Sequence, residues 1–187
     1  MARRPVPPRD RILEAALHEF AERGLAGARI DTIAREAEAS KERLYAHFKT
    51  KRDLFDAALG ASIDRWVHAV PFDARDLPTW ASTLYVHLAT HSEDARLLLW
   101  GQIEGAALAS PGVVDHEQLE ARRQGVRDAQ AEGLIPTSWQ GDELLTMAFG
   151  LVLGWFVTPQ TTKVRSADVQ RRAIVVREAV SRLLAQA

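Results

Sequence analysis

Residues 28–55, ARIDTIAREAEASKERLYAHFKTKRDLF, constrain this chain more than any other stretch. Ile30, Ile33, Ala34 and Ala37 recur at helical spacing and can face a small core, and Leu44 and Phe48 continue the same buried stripe. Between the two sets, Ala39 tucks a tight turn inward. Ser40 follows where an N-cap belongs, its hydroxyl able to accept from a backbone N–H two or three residues on. Folding these positions inward leaves Lys41, Glu42, Arg43, Tyr45 and His47 on the outer face. Thr50 can cap a further helix, with Lys51 and Arg52 in its first turn; free N–H groups, a positive dipole end and a lysine together suit a phosphate. Two short helices across a tight turn, the second basic and hydroxyl-bearing outside, is the layout of a helix-turn-helix DNA reader.

Upstream, Ile12, Leu13, Ala16, Leu17 and Phe20 form an amphipathic stripe, and Gly24 stands where a helix C′ residue belongs. Arg3, Arg4, Pro5, Pro7 and Pro8 read as a basic arm in front of it. Over residues 9–57 the arrangement resembles the TetR family of bacterial transcriptional regulators. The resemblance is carried by Gly24, Ile33-Ala34, Ala37, Ser40-Lys41, Leu44-Tyr45, Phe48, Lys51 and Leu54. Three departures matter. Glu38 stands in the turn where the family usually has Gly, and a left-handed non-Gly residue there costs on the order of 1–2 kcal/mol. Ala28 replaces a common Thr, so Arg29 takes over its phosphate contact. Glu42-Arg43 replaces the usual Gly-Thr pair, which makes the base-reading surface individual to this protein.

The whole chain of 187 residues carries a net charge of −1, which argues against a nucleic-acid partner until the chain is split. Residues 1–55 hold 12 Lys and Arg against 9 Asp and Glu, whereas residues 56–187 hold 12 against 16. The basic excess therefore lies with the reading helix, and it is small enough that the placement of cations matters as much as bulk potential. There are no cysteines, hence no disulfide framework. An apolar leader is lacking at the N-terminus, and the longest apolar run, Leu144 to Val157, is shorter than a membrane span; a cytoplasmic protein with no membrane partner is expected.

From Lys51 onward the punctuation predicts helices joined by short loops, with no sustained period-two pattern, so the fold class is all-α. Residues 1–50 are expected to form the helix-turn-helix domain and residues 51–187 a larger domain for effector binding and dimerisation. Helix four should run from Lys51 to about Ala69, followed by a connector from Pro71 to Leu77. Pro78 opens the next helix, Ser92 caps another with Ile103 and Ala107 inside, and Ser110-Pro111 starts one that Gly133 closes. Asp142 caps the apolar Leu144–Val157 helix, Pro159 follows it, and Ser166 caps the last.

Val169, Ala173, Val176, Val180, Leu183 and Ala187 alternate by four and three, a heptad seam suited to a second copy of the chain. Gly150 and Gly154, four apart, would let another backbone approach. Both helices could instead merely fill their own domain. The family resemblance, which implies a four-helix bundle from two subunits, favours a homodimer. All five tryptophans lie outside the reading segment, and the resemblance implies a cavity for an inducer. Candidate lining residues are Trp66, Trp80, Leu84, His87, Trp100, Ile103, Met147 and Phe149. His87 and His91 share a helix face, but without further ligands in a recognisable pattern no metal and no cofactor is implied. Nucleophile elbows, phosphate loops and paired catalytic motifs are missing, so an enzyme is not expected.

The expected function is a homodimeric DNA-binding regulator, a repressor released from a palindromic operator by a small apolar or aromatic effector. The rival is a dimeric ligand-binding protein whose head has lost DNA affinity, with Glu38 and Glu42 as the motive. Arg43 is the first choice for a base edge, guanine being arginine's bidentate partner. Glu42 either accepts from cytosine or stabilises its helix N-terminus. Arg29, Ser40, Lys41, Tyr45, His47, Thr50 and Lys51 are assigned to phosphates, which fix register.

Overall fold

A computed structural model describes residues 8–105, 116–158 and 166–185. The basic arm, the Ser110-Pro111 helix start, Ala107, Pro159 and Ala187 lie outside the described residues or, for Pro8, at their edge. Among the described residues there are α-helices, one short 3-10 turn and no strand. The chain divides into two compact units, and the boundary differs from the break expected after residue 50. One unit runs to Arg65 and takes in the stretch from Arg96; the other holds Trp66–Ala95 and the chain from His116 onward.

The first unit starts with α1 (Pro8–Gly27), whose stripe of Ile12, Ala16, Leu17 and Phe20 is buried. Gly24 breaks this helix with φ 64° and ψ −178°, a conformation open almost only to glycine, and the last turn continues in a new direction to Gly27. The short α2 (Ile30–Glu36) and α3 (Lys41–His47) follow. The turn between them closes through Ala39 N–H to Ala34 O at 2.9 Å, and Glu38 takes φ 51° as its replacement of glycine required. Arg11 of α1 reaches the Glu38 carboxylate at 3.2 Å and so helps hold the strained residue in place. Buried Glu19 ties the start of α2 to α1 by accepting from Arg29 N–H at 2.9 Å.

The long α4 (Lys51–Ala69) begins with a reciprocal cap. Thr50 N–H donates to Asp53 and Asp53 N–H to Thr50 Oγ1, both at 3.0 Å. Its inner side, Leu54, Phe55, Ala58, Leu59, Ser62, Ile63 and Trp66, is buried as the spacing predicts. Phe55 meets Phe20 edge-on at 5.1 Å, which joins α4 to the core of the head. The C-terminal half of α6 (Ser92–Ile103) belongs to this same unit. There the Trp100 ring covers Gly24 so closely that a Cβ on Gly24 would lie 2.7 Å from a ring carbon. Arg52 of α4 donates to the Glu104 carbonyl at 3.2 Å while pairing with Asp56.

In the second unit, the expected loop after α4 contains the 3-10 turn Ala74–Asp76, capped by Asp73. α5 (Leu77–Thr90) has Pro78 in its first turn, and its cap is Asp76, which accepts from Thr79 N–H at 3.1 Å. The Asp76 carboxyl is held below the usual carboxylate range by the Thr79 hydrogen bonds. α7 (His116–Ala131) ends before Gly133, which turns the chain at φ 74°. Gln140, not Asp142, precedes α8 (Gly141–Val157), its N–H donating to Glu143 at 3.2 Å. Asp142 instead accepts from Arg123 Nε at 2.7 Å, a cross-helix pair that a local cap pattern cannot reveal.

The last helix, α9 (Ser166–Ala185), corrects the heptad expectation. Val169, Ala173, Val176 and Val180 are buried inside this unit, on a helix that packs along α5, and Leu183 is half-buried beside them. A seam spent on the subunit's own core cannot also meet a second copy. Exposed apolar side chains remain on both terminal helices: Ile174 and Val175 on α9, and Met147, Leu151 and Val157 on α8.

Candidate nucleic-acid interface

α3 is short, so its stability depends on one anchor and one cap. Leu44 is fully buried, and Ser40 Oγ accepts from Arg43 N–H at 3.2 Å. With Leu44 inward, Lys41, Glu42, Arg43, Tyr45 and His47 are all exposed, as the spacing predicts. Ser40, Arg29 and Thr50 are exposed as well, and Lys51 is half-buried.

Intramolecular partners separate these residues into two sets. Lys41 pairs with Asp31 of α2, which raises its ammonium above the ordinary lysine value. Glu42 bends back to the start of its own helix, where its backbone N–H and the Ser40 hydroxyl hold its carboxyl below the usual range. That geometry favours the helix-end role over cytosine reading. Lys51 Nζ donates to Ala26 O at 3.3 Å, anchoring the ammonium beside the end of α1 with two protons to spare. The Arg43 guanidinium has no hydrogen-bond or ionic partner among the described residues. An exposed planar fork with nothing of its own to bind is what bidentate base recognition requires. Arg9, which sequence reasoning did not single out, lies over the Phe48 ring at 5.5 Å and adds a cation to this side of the unit.

The residues expected to line an effector cavity do not all come together. Trp100 and Ile103 fall in the head unit, where Trp100 packs on Gly24 and Ile103 is 73% exposed. Met147 is 48% exposed on α8. Helical spacing shows which residues share a face but not which unit that face serves, which is why these three are misplaced. In the second unit Trp66, Trp80 and Leu84 are buried, and the Phe149 ring lies 6.3 Å from that of Trp66, tilted 30° to it. His87 Nε2 stands 3.3 Å from the fully buried Asp94 carboxylate, with its ring stacked on His91 at 4.3 Å. Phe72 and Arg122 were missed. Phe72 meets Trp80 edge-on at 5.2 Å, and Arg122 lies over both Trp66 and Phe72.

A three-helix head presenting an exposed basic reading helix, followed by a separate all-helical unit, defines a helix-turn-helix DNA-binding regulator. Comparison with known proteins narrows the class. The family model for bacterial regulatory proteins of the tetR family matches residues 12–58, and that for the Tetracyclin repressor-like C-terminal domain matches residues 76–182. The HTH-type transcriptional repressor SCO4008 of Streptomyces coelicolor is 35% identical over 164 residues, covering 87% of this chain and 85% of the relative. SrpR of Pseudomonas putida, an HTH-type transcriptional regulator, is 25% identical over 177 residues, covering 89% and 81%. Among solved structures, SCO4942 from Streptomyces coelicolor, assigned as a transcriptional regulator, superposes with a TM-score of 0.78 at 29% identity, covering 97% of this chain and 100% of the other. The chain belongs to the TetR family: it is a DNA-binding transcription factor, not an enzyme. Among the described residues no helix is long and apolar enough to cross a membrane.

Proposed function

We propose that this protein is a homodimeric repressor that grips a palindromic operator and lets go when a small apolar or aromatic molecule enters its second unit. The observation that carries the reading is the outer surface of α3, where Lys41, Glu42, Arg43, Tyr45 and His47 are exposed and the Arg43 guanidinium has no partner among the described residues. SCO4008, named as a repressor, supports the sign of regulation. Two copies of α3 held about 34–36 Å apart would enter successive major grooves of one duplex face.

The reading of a paired state is supported by the exposed apolar side chains of α8 and α9. Gly150 and Gly154 lie on α8, and apart from their own helix backbone and chain neighbours no heavy atom among the described residues comes within 4 Å of where a Cβ would stand, which suits a close backbone approach by a partner helix. Control fits the topology, because α4 and α6 each run from one unit into the other. An effector shifts the dimer only by favouring the spacing that misfits DNA.

The direct experiment titrates the protein onto the intergenic DNA beside its own gene, with and without cell extract. Saturable, salt-sensitive binding that extract relieves is the expected result; salt-insensitive or absent binding would leave the rival ligand-binding reading. Within the head, Arg43→Ala should lose roughly 1–3 kcal/mol on the operator and relax discrimination at one base pair. An equal loss on random DNA would remove Arg43 from base reading. Lys51→Ala should weaken all sequences alike and flatten the salt dependence by about one unit in the log–log slope. An unchanged slope would take it off the phosphate contacts.

A further inference from the structure

The arginines of α7 divide sharply. Arg123 pairs with Asp142 and Glu120, and Arg127 with Glu120, all at the surface. Arg122, one residue along, turns inward. Its guanidinium carbon lies 5.7 Å from the Trp66 ring centre and 5.8 Å from that of Phe72, and no carboxylate among the described residues meets it. Burial lowers its affinity for its proton, as expected for a cation withdrawn from water without a counter-charge.

The neighbouring polar groups share that deficiency. Trp66 and Trp80 are only 3% and 5% exposed, and neither indole N–H has an acceptor among the described residues. Native interiors pair nearly all such donors. Trp80 joins the group through its edge-on contact with Phe72, and Phe149 through its contact with Trp66. The cluster thus offers one cation, two N–H donors and four aromatic rings, while none of these side chains supplies an anion. A cationic guest would be repelled by Arg122. A neutral apolar one would leave every donor unmet.

We propose that the effector carries an anionic head group on an apolar or aromatic body, and that Arg122, between Trp66 and Phe72, receives the anion while the two indoles donate beside it. This deepens the reading of the second unit as an effector domain and rests on it. Carboxylate, sulfonate and phosphate heads share the chemistry, because each offers oxygen acceptors to a planar guanidinium.

The test uses three probes with one ring system and different heads: 2-naphthoate, 2-naphthalenemethanol and 2-naphthylmethylammonium. Each is titrated into the full-length protein by calorimetry and tryptophan fluorescence. On the unmodified protein, naphthoate should bind at least about tenfold more tightly than the other two. Arg122→Gln should erase that preference while leaving the alcohol within about twofold, and Arg122→Lys should keep part of it. Binding of the alcohol or the ammonium as tightly as naphthoate would overturn the charge assignment and leave the effector domain standing. Binding of none of the three would count against the effector domain as well. The comparison of probes on the unmodified chain decides the matter even where a variant fails to fold.

Discussion

On the proposed pairing through α8 and α9, Ile174→Asp should yield a monomer and weaken operator binding by on the order of 10²–10⁴-fold, the advantage of linking two half-site contacts. Ile174 is 66% exposed, so an aspartate there costs the isolated subunit little. In a paired state the same carboxylate would be drawn from water into an apolar contact, an unfavourable transfer. Sedimentation and a band-shift titration read the two effects on one sample, and an unchanged helical circular-dichroism spectrum shows that the fold survives. A variant that stays dimeric and binds DNA normally would move the pairing surface elsewhere. The matching change at buried Val176 should instead unfold the subunit, because that side chain belongs to its own core.

Gly24→Ala should destabilise the head by two separable amounts. The φ of 64° with extended ψ is adopted almost only by glycine, and holding another residue there costs about 1–3 kcal/mol. The new Cβ would also lie 2.7 Å from the Trp100 ring, and overpacking of that kind costs typically about 1–3 kcal/mol more. Urea unfolding followed by tryptophan fluorescence measures the sum. Adding Trp100→Leu should recover the steric part and leave the backbone part, a double-mutant cycle with a predicted sign. A loss below about 0.5 kcal/mol for the single change would mean that the kink at Gly24 relaxes freely.

Most helices were legible in the sequence because their signals are local. The inner side of α4, the Ser40 and Thr50 caps, the left-handed Glu38 and the exposed residues of α3 all follow from spacing and side-chain chemistry within a few residues. What escaped depends on partners far along the chain. Asp142 reads as a cap until Arg123 claims it. The Val169–Val180 seam reads as a dimer surface until α5 covers it, since a heptad pattern registers a long apolar contact without saying whose helix makes it. Trp100 reads as cavity lining until Gly24 is found beneath it. Arg122 carries no local mark at all. Only its place above two rings separates it from its surface neighbours.

The head's dependence on the stretch from Arg96 has a practical corollary for anyone recombining regulators of this type. A chimaera that joins one protein's first 50 residues to another's remainder would transplant the reading helix but leave behind the tryptophan that roofs Gly24. Grafts should therefore travel as two discontinuous pieces. Sequence drift on either piece must be matched by the other, which ties the packing of the reading head to residues some seventy positions further along the chain.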